Sequence, residues 1–227
     1  MNPELAVLWE NAHFVAVDKP AGLLSIPGAN AREPSVLKLL SRLYPRQSHL
    51  PVHRIDRETS GVLLVARDAD AHRAANRWFE KHLIKKEYLA LAQGRPRLPA
   101  FRVNQPIEGK SALSQVQVLE RFGNEGASAA FLARVRIATG RRHQIRIHLQ
   151  GEGFPILGDP KYGGPRAHAG IQFPRFALHA ERLVLPDEAE VFKVAKKNRE
   201  IVAPTPSDFA EWIAWFRGLG DHPEIGM

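Results

Sequence analysis

The stretch whose reading decides the fold is His53-Arg54-Ile55-Asp56-Arg57-Glu58-Thr59-Ser60-Gly61-Val62-Leu63-Leu64-Val65-Ala66. Its second half, Gly61 to Ala66, is a continuous apolar run of strand length, the pattern of a strand buried on both faces. Thr59-Ser60-Gly61 reads as the turn that feeds this strand, so Asp56 is expected on a loop just ahead of a rigid element. Arg54 and Arg57 flank it. Guanidinium groups beside a carboxylate favour its charged form, and an ionised carboxylate can act as nucleophile or base. By itself, an Asp among arginines is more often half of an ordinary surface ion pair.

Working outward, strands and helices both recur. Phe14 to Val17 reads as a short strand closed by the turn Lys19-Pro20-Ala21-Gly22. Ser35 to Tyr44 reads as a helix capped by Ser35 and stopped by Pro45, with Leu37, Leu40 and Leu43 on one face. Asp70 to His82 reads as a second helix, with Ala74, Trp78 and Phe79 on one face. Strands are expected at Lys86 to Ala92, Ser114 to Glu120, Phe131 to Ile137, Phe176 to Leu185 and Val191 to Val194. In the third of these, Phe131, Ala133, Val135 and Ile137 face one way and Arg134 and Arg136 the other. A short helix covers His143 to Gln150, and Ser207 caps a last helix with Phe209, Trp212, Ile213 and Phe216 inward. Gly94 to Pro106 reads as a linker or long loop, and Gly158 to Pro174 as a second irregular stretch. Strands outnumber helices and are grouped rather than alternating with them. An α+β fold is therefore expected, with a mixed, mainly antiparallel sheet flanked by helices and loops.

The chain has 227 residues, which suits one large domain or two small ones tightly joined. Lys and Arg number 32 against 24 Asp and Glu, a net charge of +8 that favours a nucleic-acid partner. There is no cysteine, which excludes disulfides and thiolate zinc sites. No apolar run approaches the ~18 residues of a membrane span. Met1-Asn2-Pro3-Glu4 opens without the basic and apolar regions of a signal peptide. A soluble cytoplasmic protein, acting as a monomer and without contact to a membrane, is expected.

Two further segments carry chemistry. Thr139-Gly140-Arg141-Arg142-His143-Gln144-Ile145-Arg146-Ile147-His148 sets several basic and hydrogen-bonding side chains at the start of a helix. Arg142 and Arg146 share a helical face, as do Gln144 and His148. A solvated basic face is the bland alternative. His143 and His148 are five apart, not four, and no Glu follows His143, so the pattern is not that of a zinc helix. In Lys85-Lys86-Glu87-Tyr88, Tyr88 lies on an expected strand and could stack on a base, although a lone Tyr is more commonly core. His53-Arg54-Ile55-Asp56 superficially resembles the protein-kinase catalytic loop. There, however, Asp directly follows Arg and an Asn lies five residues on, where this chain has Gly61.

Together these segments resemble the RluA-type pseudouridine synthases. His53-Arg54-Ile55-Asp56 with Thr59-Ser60-Gly61 is similar to that family's signature, and Lys86-Glu87-Tyr88 to its Lys-x-Tyr. Thr139 to Arg146 and Gly153-Phe154-Pro155-Ile156-Leu157-Gly158-Asp159-Pro160 resemble its C-terminal signatures. Val17-Asp18-Lys19-Pro20-Ala21-Gly22 and Leu178-His179-Ala180 also fit, so the likeness spans roughly residues 7 to 205 in family order. It implies the pseudouridine synthase fold with a central active-site cleft. It implies an isomerase that converts uridine to pseudouridine in structured RNA, ribosomal or transfer, with no cofactor and no metal. Asp56 is then the nucleophile, Tyr88 the aromatic that packs on the uracil, and Arg146 the basic residue that pairs with Asp56. Arg54 fills the gap left by the flipped nucleotide. His53, Arg57, Arg141, Arg142, His143 and Gln144 are expected to contact RNA.

The residues leave open whether Asp56 attacks C6 of the base or C1′ of the ribose. Gly22 to Gly28 resembles members that act on stem-loops of both RNA classes, and residues 94–130 and 158–175 are expected to carry substrate choice. A single catalytic domain over 1–227 is expected, lacking the N-terminal S4-like RNA-binding domain of longer members. Arg142 stands where Thr or Ser is common, which could add a phosphate contact. The alternative is a non-catalytic RNA-binding or RNA-chaperone protein on the same scaffold. Such a relic would have no need to keep Asp56, Tyr88 and Arg146 together. A zinc deaminase is excluded by the missing cysteines.

Overall fold

The apolar run after Asp56 forms a strand buried at all seven of its positions, Ser60–Ala66. The computed structural model describes residues 5–30, 32–123 and 128–220. In chain order the strands and helices begin with β1 (Ala6–Glu10), β2 (Phe14–Lys19), α1 (Val36–Leu43), β3 (Leu50–Pro51), β4 (Ser60–Ala66) and α2 (Ala69–Glu80). There follow β5 (Lys85–Gln93), β6 (Ala100–Val103), β7 (Ser114–Phe122), β8 (Ala130–Ile137) and α3 (Gln144–Gly151). The chain continues with β9 (Ala167–His168), β10 (Ile171–Gln172), β11 (Leu178–Val184), β12 (Glu200–Val202) and α4 (Ser207–Gly220). Among the described residues no helix is long and apolar enough to cross a membrane.

These residues fall into two compact units. Unit 1 runs to Lys86 and takes in Ala180–Pro204; unit 2 comprises Glu87–His179 and the segment from Thr205 onward. Strands β5 and β11 each contribute residues to both.

In unit 1 the strands run β1-β2-β4-β11, with β3 beside β4 and β12 beside β11. The pairs β1–β2, β2–β4 and β11–β12 are antiparallel. Helix α2 covers this sheet. Asp68 caps it by accepting the Ala71 N–H at 2.8 Å. Ala71, Ala75 and Trp78 enter a core with Phe14, Leu64 and Ile201. Gly61 sits at φ +111°, and a Cβ there would lie 2.2 Å from the Ala180 carbonyl oxygen. Only glycine lets β4 and β11 approach this closely while keeping that backbone angle.

In unit 2 the strands run β5-β8-β7-β6, with β6–β7 and β7–β8 antiparallel. Helix α4 buries Phe209, Trp212, Ile213 and Phe216, the inward face expected for it. Arg175 anchors its first turn through two hydrogen bonds to Asp208, at 2.7 and 2.8 Å. Phe131, Ala133, Val135 and Ile137 are buried while Arg136 is exposed, the alternation expected for β8.

The α+β class with a mixed, mostly antiparallel sheet is the one observed. Several local expectations are corrected. Helix α1 buries Val36, Leu39 and Leu40, while Leu43 is 57% exposed, so its apolar face is rotated from the expected stripe. Helix α2 buries Ala71 and Ala75, with Ala74 and Phe79 at the margin. Val191 to Val194 is not a strand: Asp187–Phe192 form a 3-10 helix, because Pro186 and three acidic residues open a helical turn there. The long loop expected at Gly94 to Pro106 contains β6, and the one at Gly158 to Pro174 contains a short 3-10 turn and the β9–β10 pair.

Candidate active site

Asp56 is half-buried in the loop between β3 and β4. Backbone groups on both sides of it are held by named partners. Ser25 Oγ donates to the Ile55 carbonyl at 2.8 Å and accepts the Ile55 N–H at 3.1 Å. The Gly22 N–H donates to the Arg57 carbonyl at 2.9 Å, and Arg57 Nε returns a bond to the Gly22 carbonyl at 2.9 Å. The Thr59 N–H closes a turn onto the Asp56 carbonyl at 3.1 Å. Ile55 packs inward at 7% exposure and anchors the loop beside Asp56.

Lys19 is the post under this loop. It is fully buried at the end of β2, opposite Gly61, and its ammonium donates to three carbonyls: Pro20 at 2.9 Å, Leu23 at 2.7 Å and Arg57 at 2.8 Å. A buried ammonium is tolerated only when its donors are met, and these three acceptors match its three N–H groups. It ties the turn after β2 to the loop of Asp56. Its trace in the sequence is a lysine ending an apolar strand just before Pro20.

His53 is half-buried and its ring stacks on Phe79 with centroids 4.8 Å apart. The Leu64 N–H donates to His53 Nε2 at 2.9 Å, so that nitrogen carries no hydrogen. Burial, with Lys86 adding repulsion, pushes its pKa down to about 3. His53 is therefore neutral at ordinary pH and braces the loop onto β4, where the sequence suggested an RNA contact. Arg54 is exposed. Arg57 is exposed too, with Glu33 and Glu58 at 3.7 and 3.9 Å.

Unit 2 holds the other two expected catalytic residues. Tyr88 is buried on β5. Arg146 is on α3, 6% exposed, and gives Nε and Nη2 to the two carboxylate oxygens of Asp159 at 2.6 and 2.8 Å. Its guanidinium lies over Phe176 at 4.2 Å and Tyr162 at 4.8 Å. Two aromatic faces and a bidentate carboxylate fix a planar cation in one orientation. Asp159 and Tyr162 were not singled out as site residues, although both follow Gly158 in a short polar stretch.

The remaining expected contacts divide. Arg142 is exposed. Arg141 gives Nε to the Ser111 carbonyl at 3.1 Å. His143, at φ +56° before α3, bonds the Tyr162 hydroxyl at 2.8 Å. Gln144 turns inward. Its oxygen accepts from Thr139 Oγ1 at 2.7 Å and from the Arg141 N–H at 3.1 Å; its NH₂ donates to the Leu113 carbonyl at 2.9 Å and to Ser114 Oγ at 3.2 Å. These bonds take up the amide's main bonding directions, so Gln144 staples the Thr139–Arg141 turn to the start of β7. His148 is fully buried between Ser114 Oγ and the Gln105 carbonyl, at 2.8 and 2.9 Å.

The profile of the RNA pseudouridylate synthase family matches residues 13–151, a range that includes Asp56, Tyr88 and Arg146. The chain belongs to that family. Among curated relatives it is 36% identical to the dual-specificity RNA pseudouridine synthase RluA of Escherichia coli O6:H1, over 82% of this chain and 89% of that one. It is 33% identical to the ribosomal large subunit pseudouridine synthase D of Nitrosomonas europaea, covering 95% of this chain but 66% of that relative's length. These matches place it with the RluA-type pseudouridine synthases. The fold agrees with that of the solved human RNA pseudouridylate synthase domain containing 4, with a TM-score of 0.72 at 23% identity and 93% coverage of both chains. The enzyme class expected from the sequence, RNA pseudouridine synthase, stands.

Proposed function

We propose that this protein isomerises uridine to pseudouridine in structured RNA, a ribosomal or transfer RNA stem-loop, with Asp56 as the attacking carboxylate. The reaction breaks the N1–C1′ bond and joins C1′ to C5, with loss of the C5 proton and gain of one at N1. Composition is unchanged and no electrons or phosphoryl groups move, so the chemistry calls for no nucleotide cofactor. The uridine must leave its stack, at a cost of a few kcal/mol. Arg54, exposed beside Asp56, fills the vacated place. Tyr88 stacks on the extruded base, a contact type contributing about 1–3 kcal/mol. Arg146 orients the charged carboxylate. Arg57, Arg141, Arg142 and His143 line the path of the RNA, while His53 and Gln144 support the loops that present them.

The observation that carries this reading is the bracing of the Asp56 loop. Ser25, Gly22, Lys19 and His53 pin it from four sides, and a preorganised nucleophile loses little freedom on reaching its target. A non-catalytic RNA binder would have no use for that rigidity. The test is tritium release from RNA labelled at uridine C5. Asp56→Asn is expected to abolish release while RNA binding persists; turnover at the wild-type rate would remove Asp56 from the nucleophile's role.

A further inference from the structure

A groove of about 440 Å³ opens on the β6–β7–β8 sheet of unit 2. The strand register builds it. Arg102 lies opposite Gln115, and Gln115 opposite Arg136, forming one row across three strands. Ala100, Gln117 and Arg134 form the next. Directly opposed residues share a face of a sheet, and their neighbours Val116 and Val135 point to the other, buried side. Arg102, Gln115, Gln117 and Arg136 are exposed. Ala100, with only a methyl group, leaves the second row open.

Glu87 reaches this face from β5. It accepts from Arg136 Nε at 2.7 Å and lies 3.6 Å from Arg134 Nε. It orients two guanidinium groups on this face. Tyr88, the next residue, points to the opposite face of the strand, so the groove is distinct from the surface that Tyr88 serves. Glutamines lie between the arginines, so the two adjacent rows alternate guanidinium and amide groups across the strands. The composition suits a polyanion with sugars and bases. Guanidinium forks pair with phosphates and stack on bases, and glutamine amides both donate and accept.

We propose that this groove binds the backbone of an RNA arm away from the target uridine, and so contributes to the choice of substrate. The inference rests on the RNA-modifying function proposed above. It is tested by fluorescence anisotropy of the full chain with labelled bulk transfer RNA across a salt titration. In Arg102→Ala/Arg136→Ala the dissociation constant at low salt is expected to rise about tenfold, and the salt slope to fall by about 1.4–1.8, the value of two lost phosphate contacts. Ala100→Glu sets a carboxylate in the groove without touching the Glu87 pairs. It is expected to weaken binding similarly, and remains informative if the double variant fails to fold. Wild-type affinity and slope in a folded variant of either kind overturn the proposal. Failure of the wild-type protein to form pseudouridine, with these binding losses still present, would strike the catalytic reading and leave the groove.

Discussion

Arg146 was expected from the sequence to orient a carboxylate, and in the structure a second carboxylate orients Arg146. Asp159 is 1% exposed and takes two of its N–H groups. Removing one member of a buried pair leaves the other charged and unsolvated, which costs about 3–5 kcal/mol. Asp159→Ala is expected to lose that much stability in urea unfolding and to release far less tritium from C5-labelled RNA. Unchanged stability would mean that Asp159 does not hold Arg146. Asp159 lies in a segment that resembles a family signature, but a contact across thirteen positions of chain has no periodic trace in sequence. Gln144 shows the converse. Its polarity suggested RNA, yet its amide makes four bonds to its own fold.

Strand β4 is the element that the sequence described best. Six consecutive apolar or glycine positions after Ser60 announced its burial, and all are buried. What sequence could not show was why its second residue is glycine. The Ala180 carbonyl of β11 occupies the space of a Cβ. Gly61→Ala therefore meets both a strained φ and a backbone clash, and neither can relax by a rotamer change. Thermal unfolding of that variant is expected well below the wild type, with little folded protein recovered; a wild-type melting point would show that β4 and β11 are not this close. Helices α1 and α2 were located correctly but their buried faces were rotated, whereas α4 buries the face expected. A helix of eight residues such as α1 carries too few turns for its stripe to be unambiguous.

At the scale of the whole molecule, acid should destabilise the protein through His53. Burial and Lys86 hold its folded pKa at about 3, against 6.5 in an unfolded chain. Between those values the unfolded state binds more protons, so stability rises with pH and is lost on acidification below 6.5. The limiting loss is about 1.4 kcal/mol per pH unit. His49, lowered by burial and then by Arg67, acts in the same direction. The urea midpoint is expected to drop between about pH 7 and about pH 5, and to drop less in His53→Gln. Equal drops would mean that His53 titrates normally in the fold. The charge of +8 acts at the same scale, favouring an RNA partner without specifying where it lies.

By itself the sequence determined the fold class, the buried strand after Asp56, the inward face of α4 and the family. These are written in local apolar periodicity and in short motifs, which survive without knowledge of distant neighbours. Only the tertiary structure decided that Lys19 supports the Asp56 loop, that Asp159 holds Arg146, that Gln144 and His53 face inward, and that three arginines meet on one sheet face. Each depends on strand register or on a side chain meeting a group far along the chain. Such encounters depend on how the chain folds back on itself, which residue order alone does not display.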